Sequence, residues 1–259
     1  MPRRPFLIAA VAVLAVSIAA TAAVAGPTVV GPNGNTQLID SQIRPKKLSK
    51  KVFTPGTLKV RTLTTSTTAP NGVPIPAVHA TIDFDRNAKL YTKGLPTCDP
   101  AKVQNQSTES ALRACGRAKI GGGTAVALLV VGPTVYTVNQ TVTVFNGKPK
   151  GGKPVVILHT YGTTPIQTTL VLVGPVSQFN KEGYGPRLDL DIPLIAGGTG
   201  ALKEFQVKID KKWTFKGKKR SFLSAKCPNS KKLKARGKFT FRDGESLTAF
   251  SKQSCKQAP

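Results

Sequence analysis

Three stretches carry the residue types from which chemistry is built. Residues 82–94, IDFDRNAKLYTKG, place Asp83, Asp85 and Asn87 at the first, third and fifth positions of a D-x-[DN]-x-[DN] calcium loop. Residues 187–192, RLDLDI, repeat the motif with Asp189 and Asp191. Four carboxylates on two such stretches could supply the acid pair of a glycosidase, whose carboxyls stand about 5 to 10 Å apart. Residues 208–220, KIDKKWTFKGKKR, interleave lysines with Trp213 and Phe215, the composition of a groove for a polyanion.

Each stretch also has a plainer account. An EF-hand loop wants Gly at its sixth position and a bidentate Glu at its twelfth. Here those positions hold Ala88 and Gly94, with Lys89 and Lys93 nearby, so no metal site is assigned. Strand alternation accounts for the same residues: Ile82 and Phe84 point inward, Asp83 and Asp85 outward. The second stretch alternates likewise, with Leu188, Leu190 and Ile192 inward. The outward aspartates are expected to meet cross-strand lysines. In the basic tract, Phe205, Val207, Ile209, Trp213 and Phe215 share the parity of one buried strand face. The cations Lys208, Lys212, Lys216, Lys218, Lys219 and Arg220 are the candidate anion-binding residues.

No other constellation singles out a reaction. His79 and His159 sit in strand patterns and read as core or turn residues. There is no G-x-S-x-G elbow and no H-E-x-x-H pair. The glycine runs at 120–124 and 196–200 lack the Lys-Ser/Thr ending of a phosphate loop and read as turns or strand entries. No catalytic residue and no cofactor is assigned. Cys98, Cys115, Cys227 and Cys255 make an even set in an exported chain and read as two disulfides. Three pairings are possible. Joining sequence neighbours, Cys98 to Cys115 and Cys227 to Cys255, closes the shortest loops, at about 3 to 4 kcal/mol of stabilisation each.

The elements that must position these residues are strands. Runs rich in Val, Thr, Ile and Phe follow one another from "TLKVRTLTTSTT" to "SLTAF", punctuated by Gly, Pro and Asn. Asn146-Gly147 is expected to open a loop, and Asp243-Gly244 to turn a hairpin. Residues 98–116 break the pattern. Asp99 and Pro100 fit a helix start and Gly116 a helix end, so a short helical insert is expected inside the first disulfide loop. The fold class is all-β, an antiparallel, sandwich-like single domain over residues 51–259. Residues 26–50 read as an extended basic lead-in with a possible edge strand.

The N-terminus reads as a targeting segment. Arg3 and Arg4 precede an uncharged run from Phe6 to Ala25, and Ala23-Val24-Ala25 fits signal-peptidase cleavage before Gly26. The route is Sec or twin-arginine. The alternative is an uncleaved N-terminal membrane anchor, since about 20 apolar residues can span a bilayer. The whole chain has 38 Lys and Arg against 12 Asp and Glu, a formal charge of +26. Such a field attracts polyanions. For an exported, monomeric protein, that means a cell-wall polyanion, an acidic polysaccharide or an anionic membrane surface, and not nucleic acid.

Five phrases carry a resemblance: IDFDRNAKLYTKGLPTC, VFNGKPKGGKPVVILHTY, YGPRLDLDIPLIAGGTGAL, KGKKRSFLSAKC and GKFTFRDG. Over residues 45–255 the chain resembles a group of uncharacterised secreted proteins of high-GC Gram-positive bacteria. The resemblance implies export and two disulfides, and transfers no catalytic residue. The expectation is a non-enzymatic envelope or extracellular protein that binds anionic polymers through lysine-rich strand faces. The rivals are a carbohydrate-active hydrolase using the outward aspartates, and a purely structural envelope protein.

Overall fold

Alternating apolar and polar residues dictate strands with one buried face, and strands dominate the computed structural model. It describes residues 26–165 and 167–258; the expected signal segment 1–25 and its cleavage site lie outside the described residues. In chain order the strands begin with β1 (Val29–Val30), β2 (Asn35–Arg44), β3 (Lys47–Ser49), β4 (Thr54–Ser66), β5 (Ala77–Asp85) and β6 (Ala88–Leu90). The helix α1 (Thr108–Cys115) follows. Then come β7 (Lys119–Val131), β8 (Thr134–Lys150), β9 (Lys153–Gly162), β10 (Thr168–Gln178), β11 (Tyr184–Asp191) and β12 (Gly200–Ile209). The chain ends with β13 (Lys212–Phe215), β14 (Lys218–Ser221), β15 (Leu223–Ala225), β16 (Lys232–Phe241), β17 (Ser246–Ser254) and β18 (Lys256–Ala258).

Twelve strands lie side by side in the order β1-β2-β4-β12-β7-β8-β9-β10-β11-β5-β16-β17. All of these pairings are antiparallel. The all-β fold is therefore the one expected, and a single sheet curls over to supply both faces of the sandwich-like core. Its two ends meet through side chains. Ser251 Oγ accepts from Ser41 N at 3.0 Å, and Gln253 both accepts from Ile43 N and donates to Ile43 O. The sheet is thus nearly closed.

Inward residues stack in rungs across the strands. One rung runs Val60–Val207–Gly123–Val142–Thr160–Leu170, the next Leu58–Ile209–Gly121–Val144–Leu158–Leu172. β7 and β12 approach closely at two glycines. A Cβ on Gly121 would lie 2.2 Å from Lys208 O, and one on Gly123 1.9 Å from Gln206 O. Only glycine lets these backbones approach so closely. The "IGGGT" run is thus the first turnless stretch of a strand.

The helical insert follows its sequence signals. Asp99 caps a 3-10 turn at Pro100–Lys102, and Ser107 accepts from Ser110 N to cap α1, which stops at Gly116. Cys98–Cys115 ties the insert shut. Val103, Ala111 and Ala118 then pack with Phe145, Val155 and Ile157, outward residues of β8 and β9, as a second small core. Cys227–Cys255 fastens the segment after β15 to the end of β17.

Three expectations need correcting. Residues 26–50 are more than a lead-in: β2 is a mostly buried strand hydrogen-bonded to β4 along its whole length and lying against β17. Asn146-Gly147 is no turn. Both lie within β8, where Asn146 O accepts from Cys98 N and Asn146 Nδ2 donates to Pro96 O, so docking of the insert holds them extended. The turn falls at Gly151-Gly152, both with positive φ. The strand through Phe205 and Val207 ends at Ile209, because the amides of Asp210 and Lys211 both bond to Ile120 O. Trp213 and Phe215 belong to the separate β13–β14 hairpin. Non-reducing peptide mapping should recover the two neighbour-paired bridges. Replacing Cys227 and Cys255 with Ser should lower unfolding stability by about 3 kcal/mol in a denaturant titration.

Candidate functional site

The aspartates of β5 lie where alternation puts them, but neither is in water. Ile82 and Phe84 join the core. Asp83 is only 1% exposed and Asp85 5%. Asp83 stands directly opposite Arg187 on β11 and Arg236 on β16. Arg187 donates to both of its oxygens, at 2.6 and 3.0 Å, and Arg236 donates twice to Oδ2, at 3.0 and 2.8 Å. The guanidiniums in turn lie against aromatic faces, Arg187 3.7 Å from the Phe179 ring and Arg236 4.5 Å from Tyr184. The expected aspartate–lysine surface pairs are thus a buried arginine clamp. Arginine suits this place because its planar fork matches a carboxylate and stacks on rings.

Burial alone would raise the Asp83 carboxyl. Hydrogen bonds and charge from Arg187 and Arg236 outweigh it and hold the group below its ordinary value. A carboxylate so held is a poor general acid. Asp85 is also occupied: Oδ1 accepts from Asn87 N and Nδ2, and Oδ2 from Lys234 N. The calcium-loop oxygens are therefore spent on protein donors. Asp189 and Asp191 remain on the outer surface and flank His79, at 3.4 and 3.0 Å. His159 also points outward, but beneath the insert, where it is fully buried with Nε2 2.9 Å from Gln106 O. Burial pushes its pKa down.

The lysine tract is divided by the fold. Lys208 sits on β12 and pairs with Asp210 at 2.8 Å. Lys212, Lys218, Lys219 and Arg220 lie on the β13–β14 hairpin, with Lys216 at its tip. Directly opposed residues share a face, so Lys212 and Lys219 face one way, and Lys218 and Arg220 the other beside Phe215 and Trp213. Arg220 stacks over Tyr91, and Trp213 Nε1 donates to Lys93 O. Trp213 and Arg220 of the tract are thus spent on docking the hairpin.

A different cluster converges. On β16 the residues Leu233, Ala235, Gly237 and Phe239 face inward, which turns Lys232, Lys234, Arg236 and Lys238 outward as a stripe. Lys252 of β17 stands directly opposite Lys234, an arrangement that like charges disfavour. With Arg86, Lys232 and Asp85 they line a pocket of about 300 Å³. Asp85 accepts from the neutral donors Asn87 N, Asn87 Nδ2 and Lys234 N, and among the described residues Arg86, Lys232 and Lys252 form no ion pair. The sequence signal was "KKLKARGK" at 231–238, whose alternation marks a one-sided stripe.

Searches against protein-family models, curated proteins and solved structures match none of them. Among the described residues, no three His, Cys, Asp or Glu side chains gather in a group able to hold a metal ion, and no helix is long and apolar enough to cross a membrane.

The clamp makes a definite prediction. A carboxyl whose folded pKa lies below its unfolded value stabilises above the unfolded pKa, near 3.8, and loses that contribution as pH falls through the folded value. Asp83→Asn should cost about 3 kcal/mol at neutral pH, because two half-buried guanidiniums lose their counter-charge. It should also flatten the stability curve below pH 4. His159 follows the same sign: as a depressed base, it should withdraw stability as pH falls below 6.5. His159→Gln should remove that slope in unfolding titrations between pH 7 and 5.

Proposed function

We propose that the chain is an exported, non-enzymatic protein of the cell envelope or extracellular space that binds anionic polymers or surfaces. Its two disulfides suit an oxidising compartment, and cleavage before Gly26 would release it there. One observation carries the reading: six of the twelve acids are paired with an arginine or lysine of the protein itself, while most of the cations have no such partner. Asp83, Asp99, Glu109, Glu182, Glu204 and Asp210 are each held by an arginine or lysine, and Asp189 and Asp191 by His79. With 38 basic residues against 12 acidic ones, most lysines face water with nothing to neutralise them.

The β16 stripe with Arg86 and Lys252 is the focal contact, and the hairpin lysines Lys212, Lys216, Lys218 and Lys219 form a second, looser one. Phosphate- or carboxylate-bearing polymers would bind by releasing their counterions, so affinity should fall steeply with salt. Teichoic-acid-type polyphosphates and acidic polysaccharides share this chemistry. The hydrolase alternative is weakened by the engagement of Asp83 and Asp85.

Binding of residues 26–259 to inorganic polyphosphate and to purified cell wall should be measurable at low salt and drop at least tenfold between about 50 and 200 mM. The quadruple variant Arg86→Gln, Lys232→Gln, Lys234→Gln, Lys252→Gln should weaken it more than Lys212→Gln, Lys216→Gln, Lys218→Gln, Lys219→Gln. Failure of the intact protein to bind either material at low salt would overturn the reading. Glycan hydrolysis abolished by Asp189→Asn or Asp191→Asn would replace it with the enzyme.

A further inference from the structure

Residues 45–53, PKKLSKKVF, set four lysines ahead of an apolar pair. Leu48 turns into the core, and the chain then bends between β3 and β4 with Val52 and Phe53 on the outside. Val52 is 65% exposed, more than any other large apolar side chain among the described residues, and Phe53 beside it is 37% exposed. The bend is braced. Ser49 Oγ accepts from the amides of Lys51 and Val52, Ser49 N donates to Thr54 Oγ1, and Cys227 N donates to Ser49 O. The pair is therefore held out in water instead of folding onto the core.

Lysines flank the pair. Lys226 Nζ lies 4.8 Å and Lys89 Nζ 5.7 Å from the centre of the Phe53 ring. Lys50 and Lys51 precede it in the bend, and Lys47 stands in register with Lys256, like charges that a ladder disfavours. Among the described residues none of these six lysines forms an ion pair. A lysine stem resting on a ring is ordinary surface packing; it accounts for Phe53 but not for Val52. The bend also adjoins the basic stripe. Asn87, which lines the pocket with Arg86 and Lys232, accepts from Lys226 N through its carbonyl.

We propose that Val52 and Phe53 form a membrane-inserting tip, with the flanking lysines and the adjoining stripe on the headgroups of an anionic phospholipid surface. This rests on the reading that the basic stripe binds anions, and it selects a lipid surface from among the anionic partners. A polyphosphate or an acidic polysaccharide offers anions but no apolar phase to receive a valine and a phenylalanine held in the open. An anionic bilayer offers both within the depth of one side chain, phosphates at the level of the lysine Nζ atoms and hydrocarbon below them. The stems of Lys89 and Lys226 can follow the ring downward while their charged ends stay with the phosphates. A small apolar insertion and a basic patch together give stable peripheral attachment where either alone is marginal.

The test takes residues 26–259, which hold the whole described fold, and measures three things: co-sedimentation with mixed phosphatidylglycerol–phosphatidylcholine vesicles, co-sedimentation with phosphatidylcholine vesicles, and binding to inorganic polyphosphate. Binding to the anionic vesicles and not to the neutral ones is expected. Val52→Ser combined with Phe53→Ser changes two exposed positions. It should leave the thermal midpoint and the polyphosphate affinity unchanged and weaken partitioning to the anionic vesicles about tenfold or more. Should that variant misfold, Phe53→Trp supplies the answer: brominated acyl chains in the anionic vesicles should quench its fluorescence beyond that of the native Trp213. Vesicle binding equal in the folded double variant and the unaltered protein would overturn the inference, as would an indole at position 53 that the brominated chains do not quench. Binding to polyphosphate without binding to anionic vesicles would overturn it too, while leaving the basic-stripe reading in place. Binding to neither would remove that reading and the membrane tip with it.

Discussion

One carboxylate joins three strands that the chain makes far apart. Asp83 of β5 takes guanidiniums from positions 104 and 153 residues later in the sequence, each directly across the ladder. β5 is the strand through which the run from β7 to β11 is connected to the β16–β17 hairpin. Near-closure depends on it, because β5 carries β16, which in turn carries the β17 strand that meets β2. Backbone hydrogen bonds would accept other registers; a one-residue slip would send Asp83 into the apolar interior, away from both arginines. The clamp therefore specifies register as well as adding energy, and a buried ion pair is better suited to the first task than the second.

The same clamp explains the charge of the surface. Twelve acids cannot serve as general counter-charges for 38 bases, and the fold gives them specific work instead. Asp83 seals a sheet, Asp85 shapes the turn after β5, Asp99 caps a 3-10 turn, Asp243 accepts from Asn33 Nδ2 and Glu245 N at the β16–β17 turn. What remains outside is almost unrelieved positive charge. Self-repulsion of that size opposes compaction. Two disulfides and a nearly edge-free sheet offset it, the first by constraining the unfolded chain and the second by leaving little backbone unpaired.

Much of this was legible in the sequence, and the failures have common causes. Period-two alternation located Ile82, Phe84, Leu190, Val207 and Ile209 in the core, because inward burial is a local property of a strand. The short loops between cysteines gave both bridges, and Asp99-Pro100, Gly116 and Asp243-Gly244 marked ends and turns through local backbone chemistry. What could not be read was the environment of the other face. Nothing near Asp83 announces Arg187 or Arg236. Asn146-Gly147 has the residues of a turn, and is held in a strand by an insert that begins almost 50 residues earlier at Pro96 and Cys98. The lysine tract looked like one strand because parity continues across Asp210-Lys211, where two amides turn to Ile120 O and the backbone leaves the sheet. The basic stripe of β16 was visible as alternation in "KKLKARGK", but its convergence with Arg86 and Lys252 required the tertiary pairing.

The hollow interior follows from the strand count. About eight strands enclose a space that side chains can just fill, and wider closed sheets leave a lumen. With twelve strands in the curl, this protein must either flatten or stay open. It does some of each. Gly121 and Gly123 let the backbones of β7 and β12 approach closely, and Val60, Val207, Leu158 and Leu172 share one core. Yet those two positions contribute no side chain to their rungs, so the close approach also withholds filling atoms from the interior. A sheet selected only for stability could fill the remainder with larger residues at Ala80 or Val207. The apolar cavity of about 140 Å³ between the walls is the part of the core that side chains leave unfilled.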